Sequence, residues 1–231
     1  VGVIFGSQFN ANWSEILLMF NAQSFGTTDP QFGLDNGFYV FVLPGLKLVL
    51  AAVAMLLGVG LVFSVVTHVL MGGIRITMPV NGRGLFSITK RCRRQLGIWL
   101  MLNMFAWAVR QMIGVFDQLT VQGSRITGAS YTAVHANIPV TFIMAALTAI
   151  LGVVLGIWLM RSHTLEGQAS IGVRASAALK AWRVPVTSIA VVVVVGLVLT
   201  VAWPVLLQRF RVNPNAQEME STYIQRNIDA T

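Results

Sequence analysis

The chain has 231 residues, of which 55% are hydrophobic and only 10% charged. A soluble domain carries about a quarter charged residues, so there is too little polar surface here to face water on every side, and a water-soluble globular fold is excluded. The net charge of +8 does not point to nucleic acid, because the basic residues sit in two short segments between apolar runs and form no stripe on a soluble scaffold.

The opening "VGVIFG" reads as the tail of an apolar segment. The chain is expected to be a section of something longer. "NWSEILLMFNAQSFG" is too short and too polar to cross a membrane. Trp13, Ile16, Leu17 and Phe20 recur there at helical spacing, which fits an interfacial helix or a surface helix packed on the bundle.

"DPQFGLDNGFYVFVLPGLK", residues 29–47, marks where the chain enters lipid. Phe38, Tyr39 and Phe41 suit an aromatic belt. Asp29 and Asp35 precede a helix whose dipole favours negative charge. Pro44 suits a first helical turn, and Lys47, one turn deeper, reaches back toward water.

Crossing the hydrocarbon takes about 20 apolar residues. Four stretches meet that length, from about Pro44 to Leu70, Leu96 to Phe116, Ile138 to Met160 and Val186 to Leu207. Lipid offers no water to backbone amides, so these runs must be helices, including the valine run at 191–195. The predicted fold is all-α, a polytopic bundle of four full spans over 44–207.

The connections set the orientation. Residues 71–95 hold Arg75, Arg83, Lys90, Arg91, Arg93 and Arg94 and no acid. Residues 161–185 hold Arg161, Arg174, Lys180 and Arg183 against Glu166. Residues 117–137 have Arg125, and the first 43 residues have no lysine or arginine. Basic loops stay in the cytoplasm. This places 71–95 and 161–185 on the cytoplasmic side of the membrane, and 10–43, 117–137 and 208–231 on the extracytoplasmic side.

Lys47 and Arg110 are the charges within spans, and Asp117 follows Arg110 by seven residues on the same helical face. With Asp35 they form a candidate outer cluster for a lipid headgroup or a cavity entrance; snorkelling with a local ion pair explains them equally simply. Lys90, Arg91, Arg93 and Arg94, in "TKRCRRQ", are candidate contacts for anionic inner-leaflet lipid. Cys92, the one cysteine, reads as a reduced cytoplasmic thiol. His68 is a helix-end residue, and His135 and His163 fall on opposite sides of the membrane, so no three-histidine zinc site assembles. Asn103 and "GVVLG" (152–156) are expected to glue helices together. The outer "GSRITGASYTAVHANIP", with Tyr131, His135 and Asn137, either recognises a ligand or packs beneath an outer domain. There is no nucleophile elbow, phosphate-cradling loop, HExxH or paired-acid motif, so no enzymatic activity, no cofactor and no metal is expected.

The strings "DPQFGLDNGFYVFVLP", "VTHVLMGGIR", "TGASYT", "NIP", "VNPN" and "YIQRNIDAT" together resemble a bacterial family catalogued as uncharacterised protein family 0182. The resemblance runs through nearly the whole chain. It implies large proteins with several membrane spans followed by a big extracytoplasmic domain, which "YIQRNIDAT" would open within 208–231. The resemblance also implies that residues 1–9 close a preceding span. The linker around "SHTLEGQASIGVRASAALKAWR" is longer and more basic than the resemblance implies. The expected role is therefore a multi-pass module that anchors and packs against that domain. Its expected partners are membrane lipids and the outer domain itself, with self-association into a homo-oligomer left open. The rival is a transporter or lipid-handling subunit using the outer cluster.

Overall fold

A computed structural model of the chain describes residues 2–76, 86–120, 128–162 and 171–229. The loop residues Arg83, Arg125, His163 and Glu166, which enter the charge and zinc arguments above, lie outside them.

The first helix, α1, runs Gly2–Phe20 and kinks at Asn12, where φ is −124°. The preceding-span tail and the interfacial helix expected from the sequence are thus one helix with a break between them. Trp13, Leu17 and Phe20 are exposed on its second half. Next come α2 (Phe38–Leu70), α3 (Lys90–Leu119) and α4 (Ala133–Arg161). The fifth helix, α5, begins as Ile171–Leu197 and continues without a break to Val212. The last, α6, is Ala216–Asp229. Among the described residues four helices are long and apolar enough to cross a membrane, Phe38–Leu70, Lys90–Leu119, Ala133–Arg161 and Trp182–Val212. Only 6–22% of the most apolar stretch of each is buried. Protein does not cover these apolar surfaces, as expected of helices whose solvent is hydrocarbon.

Helices α2, α4 and α5 overrun their expected ends where a proline sits in or just after a helix. Among the described residues, π-helical turns occur at Phe38–Val42, Ala133–Asn137, Val198–Ala202 and Gln208–Val212. In each, the next residue (Leu43, Ile138, Trp203 or Asn213) donates its N–H five residues back, and a proline follows it directly: Pro44, Pro139, Pro204 or Pro214. A proline ring inside a helix lacks an N–H and collides with the carbonyl four residues earlier. Widening the preceding turn by one residue clears that collision; the helix continues through Pro44, Pro139 and Pro204 and ends before Pro214. Pro44 therefore lies within α2 and does not start it.

Contacts gather the chain into two compact units. One comprises Val1–Val53, Ala108–Ala146 and Val195–Thr231, the other Ala54–Trp107 and Leu147–Val194. In the second unit Ile88, Cys92 and Leu96 are buried, with Leu61, Ile74 and Leu159 packed against them. A short antiparallel ribbon, β1 (Ile74–Ile76) with β2 (Phe86–Ile88), pairs Ile74 with Ile88 and sits beside this core. Gly97 and Gly156 let α3 and α4 touch, since a methyl group added to either would stand 2.8–2.9 Å from the other's carbonyl oxygen. Asn103 donates to the carbonyls of Leu57 on α2 (3.1 Å) and Trp99 (2.8 Å), binding two spans through one amide. Such bonds hold helices together where lipid removes the hydrophobic drive for association.

Candidate functional site

The first unit holds the most elaborate local structure, in the turn-rich segment between α1 and α2. Gly26 and Gly33 have φ of 71° and 68°, a left-handed conformation that costs glycine nothing. They reverse the chain so that Thr28 bridges Asp35 in antiparallel fashion. Asp29 then becomes a hub. Its Oδ1 accepts the N–H groups of Gln31 (2.8 Å) and Phe32 (2.7 Å), and its Oδ2 accepts Leu34 N–H (3.0 Å) and the Tyr39 hydroxyl (2.8 Å). Only 6% of Asp29 is exposed. Burial pushes its carboxyl up, but the bonds from Phe32, Tyr39, Leu34 and Gln31 outweigh it and hold the group below its ordinary value.

Asp35 is a second hub. It accepts from the Ser24 hydroxyl and from the N–H groups of Phe25 (3.0 Å), Gly26 (3.1 Å) and Gly37 (2.7 Å). The Ser24 bond leads these in pulling its carboxyl down to about 2. Phe116 of α3 is the ring on which this segment rests, with centroids of Phe32 at 5.0 Å, Phe38 at 5.3 Å and Tyr39 at 6.4 Å, all edge-to-face. The aromatics expected in a lipid-facing belt thus pack on one another.

Beside Asp29 lies a cavity of about 330 Å³. Pro30, Tyr39, Val40, Leu119 and Ala129 supply apolar walls, and Thr28, Gln31, Asn36 and Thr120 supply neutral polar edges. Tyr223 and Arg226 of α6 close one side, with the Arg226 guanidinium 5.4 Å from the centre of the Tyr223 ring. Three strings singled out in the sequence, "DPQFGLDNGFYVFVLP", "TGASYT" and "YIQRNIDAT", therefore meet around one space.

The expected outer cluster is only partly assembled. Lys47 Nζ donates to both Asp117 oxygens, at 2.8 and 2.9 Å. Asp35 is engaged with the backbone of its own loop and is not a partner of that pair. Arg110 is exposed on α3. Of the four basic candidates at the start of α3, Lys90, Arg91 and Arg94 are exposed. Arg93 corrects the expectation of lipid contact: it is 1% exposed, and its Nη1 donates to the Ser162 carbonyl. Helical phase explains it, since Arg93 follows buried Cys92 and precedes buried Leu96 on the inward face. His68 meets the Gln95 side chain at 3.0 Å.

Tyr131, His135 and Asn137 open α4. Tyr131 is buried and stacks on His135 with centroids 4.0 Å apart. Helix α6 docks on this stack. The 7%-exposed Glu220 accepts Tyr131 N–H (3.2 Å), and the Tyr223 hydroxyl lies 3.4 Å from His135 Nδ1. Burial of Tyr223 raises its phenol above the ordinary value. Sequence reasoning passed over Glu220, Tyr223 and Arg226. Their three-residue spacing, which sets one face of a helix, was the available signal.

The whole chain, residues 1–231, matches the family model described as "Uncharacterised protein family (UPF0182)". It is 79% identical over 231 residues to a UPF0182 protein of Bifidobacterium adolescentis. It is 32% identical over 231 residues to one of Corynebacterium glutamicum and 30% identical over 233 residues to one of Mycobacterium tuberculosis. Each comparison covers 100% of this chain and 21–22% of the relative, so the chain spans about a fifth of the length of the curated relatives it matches. No solved structure matches it. The chain belongs to the uncharacterised protein family UPF0182.

Proposed function

We propose that this segment is a multi-pass module of the bacterial plasma membrane that anchors, and packs against, a large extracytoplasmic part of the same polypeptide. The observation that carries the reading is the docking of α6. The last described helix does not trail away from the spans but is seated on the start of α4 by Glu220 and Tyr223. A helix held this way passes the position of the spans to whatever follows it. Three further features support the reading: four apolar helices, basic connections that alternate along the chain, and relatives about five times as long. It puts 71–95 and 161–185 in the cytoplasm and assigns the segment no chemistry of its own. The rival, a transporter or lipid-handling subunit built on Asp35, Lys47, Arg110 and Asp117, has less support, because Lys47 is committed to Asp117 and Asp35 to its loop.

The test is Glu220→Ala in the full-length protein in intact cells. Loss of the buried carboxylate leaves Tyr131 N–H without its acceptor. Externally added protease is expected to cut at 213–229 at least tenfold faster than in the wild type, with the spans left intact. Unchanged cleavage, or cleavage only in broken cells, would sink the proposal.

A further inference from the structure

We infer that the cavity beside Asp29 binds an amphipathic anion, with its head on Arg226 and its apolar chain along Pro30, Tyr39, Val40 and Leu119. This goes beyond the anchoring role and rests with it on the seating of α6, which supplies Arg226.

The chemistry of the lining selects the class. Asp29 is the carboxylate at the wall, but three N–H groups and the Tyr39 hydroxyl already occupy both its oxygens. It has no capacity left to coordinate a cation. Among the described residues Arg226 is the cation of the lining, in which Asp29 is the one carboxylate. Its guanidinium carbon lies 5.4 Å from the centre of the Tyr223 ring. The N–H groups of a guanidinium form a planar fork. Such a fork pairs bidentately with a carboxylate or phosphate, and more strongly than with a neutral group.

The body of the ligand follows from the remaining walls. They are apolar or neutral, and a volume of about 330 Å³ falls at the small end of the range of about 300–1,000 Å³ for small-molecule sites. A short chain or the first part of a longer one fits. Val40 indicates the way in, since it is 52% exposed in the first turn of a helix apolar enough to cross a membrane. An acyl chain on that surface reaches the cavity without passing through water. A membrane phospholipid and a soluble fatty carboxylate share this chemistry, so the source is a matter for experiment.

The full-length protein, in phosphatidylcholine nanodiscs, is titrated with octanoate, octanol and octylamine while its thermal unfolding midpoint is followed. In a second arm, nanodiscs of mixed phosphatidylcholine and phosphatidylglycerol are exchanged, and retained lipid is read by native mass spectrometry. Octanoate alone raising the midpoint identifies a soluble anion, and selective retention of phosphatidylglycerol identifies a lipid. Either effect is expected to weaken at least tenfold in Arg226→Gln, to recover in part in Arg226→Lys, and to vanish in Ala129→Phe, which fills the cavity from its wall. Ala129→Phe leaves Arg226 and α6 unaltered, so it decides the matter even where Arg226→Gln unseats the helix. Equal effects of octanol and octanoate, binding that survives both Arg226→Gln and Ala129→Phe, or no binding in either arm would each overturn the inference. Wild-type α6 that resists added protease while neither arm shows binding overturns this inference and leaves the anchoring role standing, which keeps the two failures distinguishable.

Discussion

Replacing Asp29 by asparagine converts one of its two oxygens into an N–H₂ donor and leaves shape and volume unchanged. The oxygen that stays serves Gln31 and Phe32, and the new amide then faces Leu34 N–H and the Tyr39 hydroxyl, donor against donor. A buried donor stripped of its acceptor costs about 1–3 kcal/mol. The Tyr39 hydroxyl escapes part of this by rotating, so the loop is expected to lose about 2 kcal/mol. At about 1.4 kcal/mol per factor of ten, that is about a 30-fold rise in local opening. Amide hydrogen exchange of the full-length protein, resolved to the peptides covering 29–38, reads this directly. Gln31, Phe32 and Leu34 amides are expected to exchange about 30-fold faster in Asp29→Asn, with amides in α4 unchanged. Tyr39→Phe alone costs about 1 kcal/mol. Combined with Asp29→Asn it should add almost nothing, because that hydroxyl has already lost its partner. A change below about threefold in Asp29→Asn, or simple additivity of the pair, would refute the view of Asp29 as the hub of the loop.

Acid should open the same loop. Hydrogen bonds hold both aspartate carboxyls below their ordinary value of about 3.8, so their contribution is complete above that value. For Asp35 it is lost as pH falls from about 3.8 to about 2. Exchange corrected for its intrinsic pH dependence should be flat from pH 7 to 5 and rise below pH 4, and a rise above pH 5 would contradict the assignment. Gly156→Ala drives a methyl group against Met101 and the Gly97 carbonyl and should cost about 1–3 kcal/mol in thermal unfolding. Gly114→Ala, with nothing within 4 Å, should be near neutral. Arg93→Ala should lower the unfolding midpoint by several degrees, the equivalent of about 2–4 kcal/mol, while Arg91→Ala leaves it in place; equal effects would contradict the burial of Arg93. Lys47→Gln breaks a pair whose side chains are 47% and 34% exposed, so the loss should stay within about 1 kcal/mol.

The spans were legible in the sequence because lipid leaves the backbone one choice over a fixed length. Their ends were not. Pro44 reads as a helix start by its missing N–H, and only the three-dimensional backbone reveals a π-helical turn that carries the helix past it. Lys47 and Asp117 stood out in the sequence as charges, and their pairing follows from where α2 and α3 bring them. Asp29 and Asp35 were read as partners of a helix dipole, a long-range effect. Their actual role rests on bonds from N–H and hydroxyl groups two to eleven residues away along the chain, which periodicity does not record. Arg93 left a partial signal: it stands three residues before the apolar Leu96, a spacing that shares a helix face. The role of α6 lay in residues 89 positions from their partners, a separation over which one sequence carries no pairing signal.

The central claim is that four helices traverse a lipid bilayer with their arginine-rich turns in the cytosol and α6 on the far side. Single cysteines placed by Ala22→Cys, Arg94→Cys and Ser221→Cys in a Cys92→Ala background test it, with a membrane-impermeant maleimide applied to intact cells. Ala22→Cys and Ser221→Cys are expected to label at once, and Arg94→Cys only after the membrane is permeabilised. Labelling of Arg94→Cys in intact cells, or protection of Ser221→Cys, would contradict the account.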